Sequence, residues 1–146
     1  MPRYFTLSQA AGLLPEVERL LRVGIEARRE YELAESAMSD IQERVRMAGG
    51  MNLDRRQVLQ LREDRERGAR RLRESIEAVH ELGVQVKDLN VGLVDFPTLY
   101  HGREVLLCWR LGERSIDHWH GLDEGFQSRK AIDLEFRQHH GGGTLH

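Results

Sequence analysis

A chain of 146 residues fits one domain with enough length to bury a core. Charged residues make up 32% and aromatics only 6%, which leans towards long solvated helices rather than a thick sandwich. The formal charge of -2 gives no global electrostatic case for nucleic acid or an anionic membrane, and a single cysteine excludes an intrachain disulfide or a cysteine-rich zinc module.

Arg3 is followed at once by helix-start residues, and no apolar run approaches membrane-spanning length. The expectation is a soluble, cytoplasmic protein with no membrane partner. Thr6-Leu7-Ser8-Gln9 has capping-box spacing, in which the Thr hydroxyl takes the N3 amide while Gln9 reaches back. A short helix follows, and Pro15 is expected to start a new one at its N1 position, with a kink at Leu14.

From Pro15 to about Ala48 the apolar positions keep a heptad rhythm: Leu20, Gly24, Ala27, Tyr31, Ala34, Met38, Ile41, Val45 and Ala48. Gly49-Gly50 breaks this helix, and Asn52 is the expected N-cap of the next. The second helix is expected over Leu53 to Leu82, with Gly83 as its stop. Its seam reads Val58, Leu61, Arg65, Gly68, Leu72, Ser75, Val79 and Leu82. Gly24, Ala27, Ala34, Gly68, Ala69 and Ser75 are small, which allows the two helices to approach closely. An antiparallel hairpin results. A lone pair leaves Leu21, Ile25, Leu59 and Ile76 poorly covered, so a homodimer through the hairpin is expected.

After Gly83 the period changes to alternation. Val84 and Val86 begin a short strand, and Leu93 to Leu99 reads as another, with Pro97 marking an edge or an early end. Tyr100-His101-Gly102-Arg103 is a turn, Glu104 to Arg110 is the return strand, and Ser115 to His120 is the next. Val105, Leu107 and Trp109 share one face, and Leu106, Cys108 and Arg110 the other. Residues 121–136 read as loop with a short ordered segment. The predicted fold is α+β: a helical hairpin over 1–83 kinked at Pro15, a small antiparallel β-meander over 84–136 packed as one unit with it, and a disordered tail over 137–146.

Several words of the second half occur together: Val86-Lys87-Asp88-Leu89, Gly92-Leu93-Val94-Asp95-Phe96-Pro97, Leu107-Cys108-Trp109-Arg110-Leu111-Gly112-Glu113, Trp119-His120 and Gly125-Phe126. With the opening Thr6-Leu7 and Leu13-Leu14-Pro15, the chain resembles the bacterial family catalogued as domain of unknown function 2203, over nearly its whole length. The resemblance implies no established activity. His118 departs from the family's pattern.

The leading chemical constellation is His118-x-His120. Residues i and i+2 of a strand face the same way, so both imidazoles can address one ion. Asp95 and Glu113 add carboxylates, giving a two-His, carboxylate set suited to divalent iron, manganese or zinc. The plainer reading has these carboxylates capping turns or pairing with arginines, and His120 hydrogen-bonded within the sheet. Cys108 is weighed as a thiolate nucleophile with His120 as base. No cysteine-hydrolase motif surrounds it, and a strand cysteine is more often a small buried hydrophobe.

Trp109, Trp119, Phe96 and Phe126 are a candidate apolar cleft, with Asp88, Arg110 and Arg129 orienting a polar ligand. The plainer reading puts tryptophan in the core. The second helix carries eight arginines between Asp54 and Glu74, but five interleaved acids favour a solvated, paired face over nucleic acid. Two function classes result. One is a metal- or small-ligand-binding site in the β part, and the other is a non-enzymatic assembly protein working through its hairpin.

Overall fold

The computed structural model describes residues 3–49 and 53–144. In chain order the elements are β1 (Arg3–Tyr4), α1 (Leu7–Met47), α2 (Arg55–Glu81), β2 (Gln85–Asp88), β3 (Leu93–Tyr100) and β4 (Arg103–Arg110). They continue with β5 (His118–Gly121), a 3₁₀ turn at Phe126–Ser128, β6 (Lys130–Ala131), α3 (Leu134–His139), β7 (His140–Gly141) and β8 (Gly143–Thr144). This is the expected α+β architecture, a helical hairpin followed by an antiparallel sheet. Two compact units divide the chain: Arg22–Ser75 forms one, and the residues up to Leu21 together with those from Ile76 onward form the other. These limits differ from the 83/84 boundary read in the sequence.

In the Arg22–Ser75 unit the heptad seam is the buried face. Gly24, Ala27, Ala34 and Ile41 are buried, and Tyr31, Met38 and Val45 are half-buried. Gly68 shows why small residues sit there. A Cβ at that position would lie 2.9 Å from the Ala27 carbonyl oxygen and 2.9 Å from the Tyr31 nitrogen, so the two backbones touch. The seam's polar flank is paired across the hairpin, with Arg67 and Arg71 on Glu30 and Arg65 on Glu35. Three of the cluster's eight arginines thus pair with acids of α1, where pairing with the interleaved acids of their own helix was expected; Arg67 does both, through Asp64.

Helix ends follow local chemistry. Thr6 and Gln9 form the reciprocal capping box, at 3.0 Å from Thr6 Oγ1 to the Gln9 amide and 2.9 Å from Gln9 Oε1 to the Thr6 amide. α2 is capped by Asp54, whose carboxylate accepts the amides of Arg56 and Gln57. The predicted cap, Asn52, lies outside the described residues. At the far end Gly83 has φ +91°, and the Gly83 and Val84 amides return to the His80 and Val79 carbonyls. That is the Schellman stop expected of a glycine in this position.

Pro15 does not start a helix, because α1 runs through it. Ala10, Val17 and Leu21 are all fully buried on either side of it. Keeping one helical phase across Pro15 buries them together, which outweighs a single missing backbone hydrogen bond. Leu21, expected to be poorly covered, belongs to that buried set, whereas Leu59 is 56% exposed as its position implied.

The main sheet has the order β2-β3-β4-β5-β6, all antiparallel, with β7 pairing beside the end of β3. His101 (φ 50°) and Gly102 (φ 75°) form the two-residue turn between β3 and β4, both left-handed as a type I′ hairpin requires. Pro97 sits inside β3, opposite Leu106, in the gap between the partners β2 and β7. Its carbonyl there accepts the Phe5 amide at 2.7 Å. The missing N–H therefore faces a place with no strand partner, which is how a mid-strand proline is tolerated.

The strand expected over Ser115 to His120 begins only at His118. Ser115 instead closes a turn by hydrogen-bonding Asp117. Residues 137–144, expected as part of a disordered tail, are tied down. α3 is capped by Asp133, and β7 pairs with Leu99 and Tyr100. His140 Nε2 accepts the Leu7 amide at 2.9 Å, so its Nδ1 carries the proton donated to the Phe136 and Arg137 carbonyls. One imidazole links the start of α1 to the end of α3.

Alternation gives the sheet two different faces. Val94, Phe96, Leu107, Trp109 and Trp119 point one way. Phe96 meets Phe5 edge-on, and Trp119 stacks on Phe136 of α3. Each fully buried side chain of this size contributes about 1.5–3 kcal/mol. Asp95, Leu106, Cys108, His118 and His120 share the opposite face, beneath the β5–β6 connection.

Candidate metal centre

Register brings the polar residues of that second face together. Asp95 pairs directly with Cys108, Leu106 with His120, and Cys108 with His118. Residues opposite each other on one face stand about 5 Å apart at Cβ, so these side chains meet across β4. Asp95, Cys108 and His120 are all buried, and one donor atom from each lies within 4.8 Å of the others.

His120 is held at both ring nitrogens. Nδ1 lies 2.8 Å from the Gly121 carbonyl, which only accepts, so Nδ1 carries a proton. Nε2 lies 3.0 Å from Asp95 Oδ1, so one further proton is shared between imidazole and carboxylate. Burial raises the Asp95 carboxyl above its usual range, while the neighbouring His120 and Lys87 pull it back. The Cys108 thiol is pushed up to about 12, chiefly by burial and then by the Asp95 charge, with Arg129 opposing. Such a thiol is no nucleophile near neutral pH. Nothing here supports the Cys108–His120 nucleophile reading.

The sequence grouped Glu113 and His118 with this set, and the structure places them beside it. Glu113 accepts the Arg110 amide at 2.7 Å and receives Arg129 at 3.0 and 3.1 Å. It closes the turn after β4, the plainer role set out above. His118 lies across from Cys108, but its Nδ1 is 3.9 Å from Glu113 Oε2. That nitrogen is buried without a hydrogen-bond partner among the described residues. Cys108, read in the sequence as a packing residue or nucleophile, is the third member instead. Its register opposite Asp95 was the signal: a two-residue turn at His101-Gly102 pairs Tyr100 with Arg103 and hence Asp95 with Cys108.

The proposed cleft does not assemble. Trp109 and Phe96 are buried on the other face, and the Trp109 indole nitrogen donates to the Glu113 carbonyl. Phe126 lies under the guanidinium groups of Arg129, 4.1 Å from its centroid, and Arg110, at 5.7 Å. Asp88 is exposed and caps a turn by accepting the Asn90 amide. Arg110 and Arg129 thus gather over Phe126 rather than along a tryptophan-lined cleft.

The profile of a family described as an uncharacterized conserved protein, DUF2203, matches residues 3–132. The chain belongs to the DUF2203 family. No curated protein and no solved structure matches it. All three members of the buried set fall inside the DUF2203 match. No helix among the described residues is long and apolar enough to cross a membrane.

Proposed function

We propose that this DUF2203 protein binds one divalent transition metal ion between Asp95 Oδ1, Cys108 Sγ and His120 Nε2. The carrying observation is a buried oxygen, sulfur and nitrogen set with its donor atoms within 4.8 Å of one another. His120 supports it further, because the Nδ1–H bond to the Gly121 carbonyl turns Nε2 inward as a ligand. A thiolate among the donors favours zinc or iron over manganese. Three protein ligands leave a tetrahedral ion one open position, the arrangement of catalytic rather than structural zinc.

The charge balance also supports this reading. Without metal, the thiol and the Asp95–His120 pair hold two displaceable protons between them, besides the one on His120 Nδ1. A divalent ion that displaces both leaves the buried charge unchanged, which avoids the cost of burying net charge. The test is metal analysis and cobalt substitution of tag-free protein. Stoichiometric metal and a thiolate-to-cobalt absorption band are expected, lost in Cys108→Ser and His120→Ala and kept in Glu113→Gln. Full metal retention by His120→Ala would place the ion on surface imidazoles and end the reading.

A second reading rests on the Arg22–Ser75 unit. Met38, Ile41, Val45, Leu53 and Val58 line an apolar groove of about 360 Å³, and Leu33 and Leu59 are exposed nearby in sequence. Such surfaces support self-association through the hairpin. Light scattering that shows a dimer in wild-type protein and a monomer in Leu59→Glu would support it, and a monomeric wild type would remove it.

A further inference from the structure

The two long helices touch at Gly68, and the last ion pair between them on the way to the connecting loop, among the described residues, joins Arg65 to Glu35 at 2.8 Å. Beyond it they leave the groove of about 360 Å³. Met38, Ile41 and Val45 form its α1 wall at helical spacing, and Leu53 and Val58 line it from the other arm.

Charge at this end of the hairpin is one-sided. Arg46 and Arg62 line the groove, and no carboxylate does. Residues 42–62 hold five arginines against Glu43 and Asp54, a net of +3 in a chain whose formal charge is -2. Both acids are already engaged, Glu43 by Arg46 at 2.6 Å and Asp54 by the amides it caps. Arg62, unlike Arg65, Arg67 and Arg71, makes no ion pair among the described residues.

An occupant of this groove must cover apolar surface and bring negative charge. Exposed Met47 and Leu53 extend the apolar character of the same stretch, which suits a chain segment better than a small molecule. A second copy laid end on end would oppose one +3 stretch to another, so charge favours a different protein here. Self-association would then fall to Leu33 and Leu59, which are exposed and do not line the groove.

We infer that the groove docks an amphipathic helix of another protein, with its apolar side chains against Val45 and Val58 and its acidic flank on Arg62 and Arg46. A helix laid between two others presents apolar side chains at the same three- and four-residue spacing that lines the α1 wall. This docking requires neither the metal nor a dimer.

Fluorescence anisotropy with labelled synthetic peptides of about 18 residues, five helical turns, tests it. One peptide carries leucine on one face and glutamate on the others, a second has lysine for glutamate, and a third has its leucines scrambled. Wild-type protein is expected to bind the glutamate peptide, and the other two more weakly by about tenfold or more. Arg62→Glu should weaken the glutamate peptide by about tenfold and bring the lysine peptide on, with circular dichroism unchanged because Arg62 is exposed. No binding of the glutamate peptide, equal binding of the lysine or scrambled peptide, or indifference to Arg62→Glu would each overturn the docking. Tighter binding of phosphatidylglycerol vesicles than of the glutamate peptide would overturn it in favour of a membrane surface. A wild-type dimer that Arg62→Glu converts to monomer would overturn it in favour of a second copy.

Discussion

His120 Nε2 and Asp95 Oδ1 lie 3.0 Å apart although their strands are not neighbours: β4 runs between them. The imidazole reaches diagonally over Leu106, and Cys108 of the same strand completes the group. Both members are almost fully buried, at 4% and 2% side-chain exposure. A buried pair of this kind is costly unless each group is satisfied, and this one is satisfied through a shared proton.

Metal binding at this centre should release two protons, one from the Cys108 thiol and one from the Asp95–His120 pair. Apparent affinity should then rise by about 100-fold per pH unit wherever both groups are protonated in the metal-free protein. Calorimetry in buffers of different ionisation enthalpy reads the proton count directly. A count near zero is incompatible with ligation by Cys108.

The Cys108 thiol, at about 12, remains protonated at pH 8 and is fully buried. Iodoacetamide should leave it unmodified in the metal-free folded protein and label it fully in urea. Labelling that outpaces global unfolding would show that the thiol is accessible or ionised in the fold.

Asp95 makes stability depend on pH in a definite direction. Its carboxyl is raised in the folded state, mainly by burial, so the fold holds a proton that the unfolded chain gives up near its ordinary value of about 3.9. The associated stabilisation is complete below that value and is lost as pH rises through the raised one. Metal-free wild-type protein should therefore lose stability relative to Asp95→Asn as pH climbs from about 4. A gap that moves the other way would mean Asp95 ionises easily in place. Truncation to Asp95→Ala should cost about 3–5 kcal/mol by urea unfolding, the usual result of breaking a buried pair.

Two glycines of α1 and α2 should respond oppositely to alanine. At Gly12 a Cβ meets nothing within 4 Å, so Gly12→Ala should stabilise by about 0.5–1 kcal/mol through helix propensity. At Gly68 the Cβ runs into the α1 backbone at 2.9 Å, and backbone cannot turn aside. Gly68→Ala should cost about 1–3 kcal/mol despite the same propensity gain. Thermal unfolding of both variants checks the contrast.

Local chemistry made much of this fold legible in the sequence. Thr6 and Gln9 satisfy each other within one turn, Gly83 takes a conformation that favours glycine, and the heptad seam from Leu20 to Val45 is a one-dimensional pattern. The alternation after Gly83 likewise put Asp95, Cys108 and His120 in strands, and the strand period put His118 and His120 on one face. These features depend on neighbours only a few residues away. What the sequence left open depends on partners far along the chain. Pro15 stays inside a helix because residues on both sides of it are buried together. Residues 137–144 are ordered because β7 adds to β3 and His140 meets Leu7, 133 residues earlier. The register of β5, which no tight turn fixes, carried His120 over to Asp95, and Arg129 reached back to take Glu113.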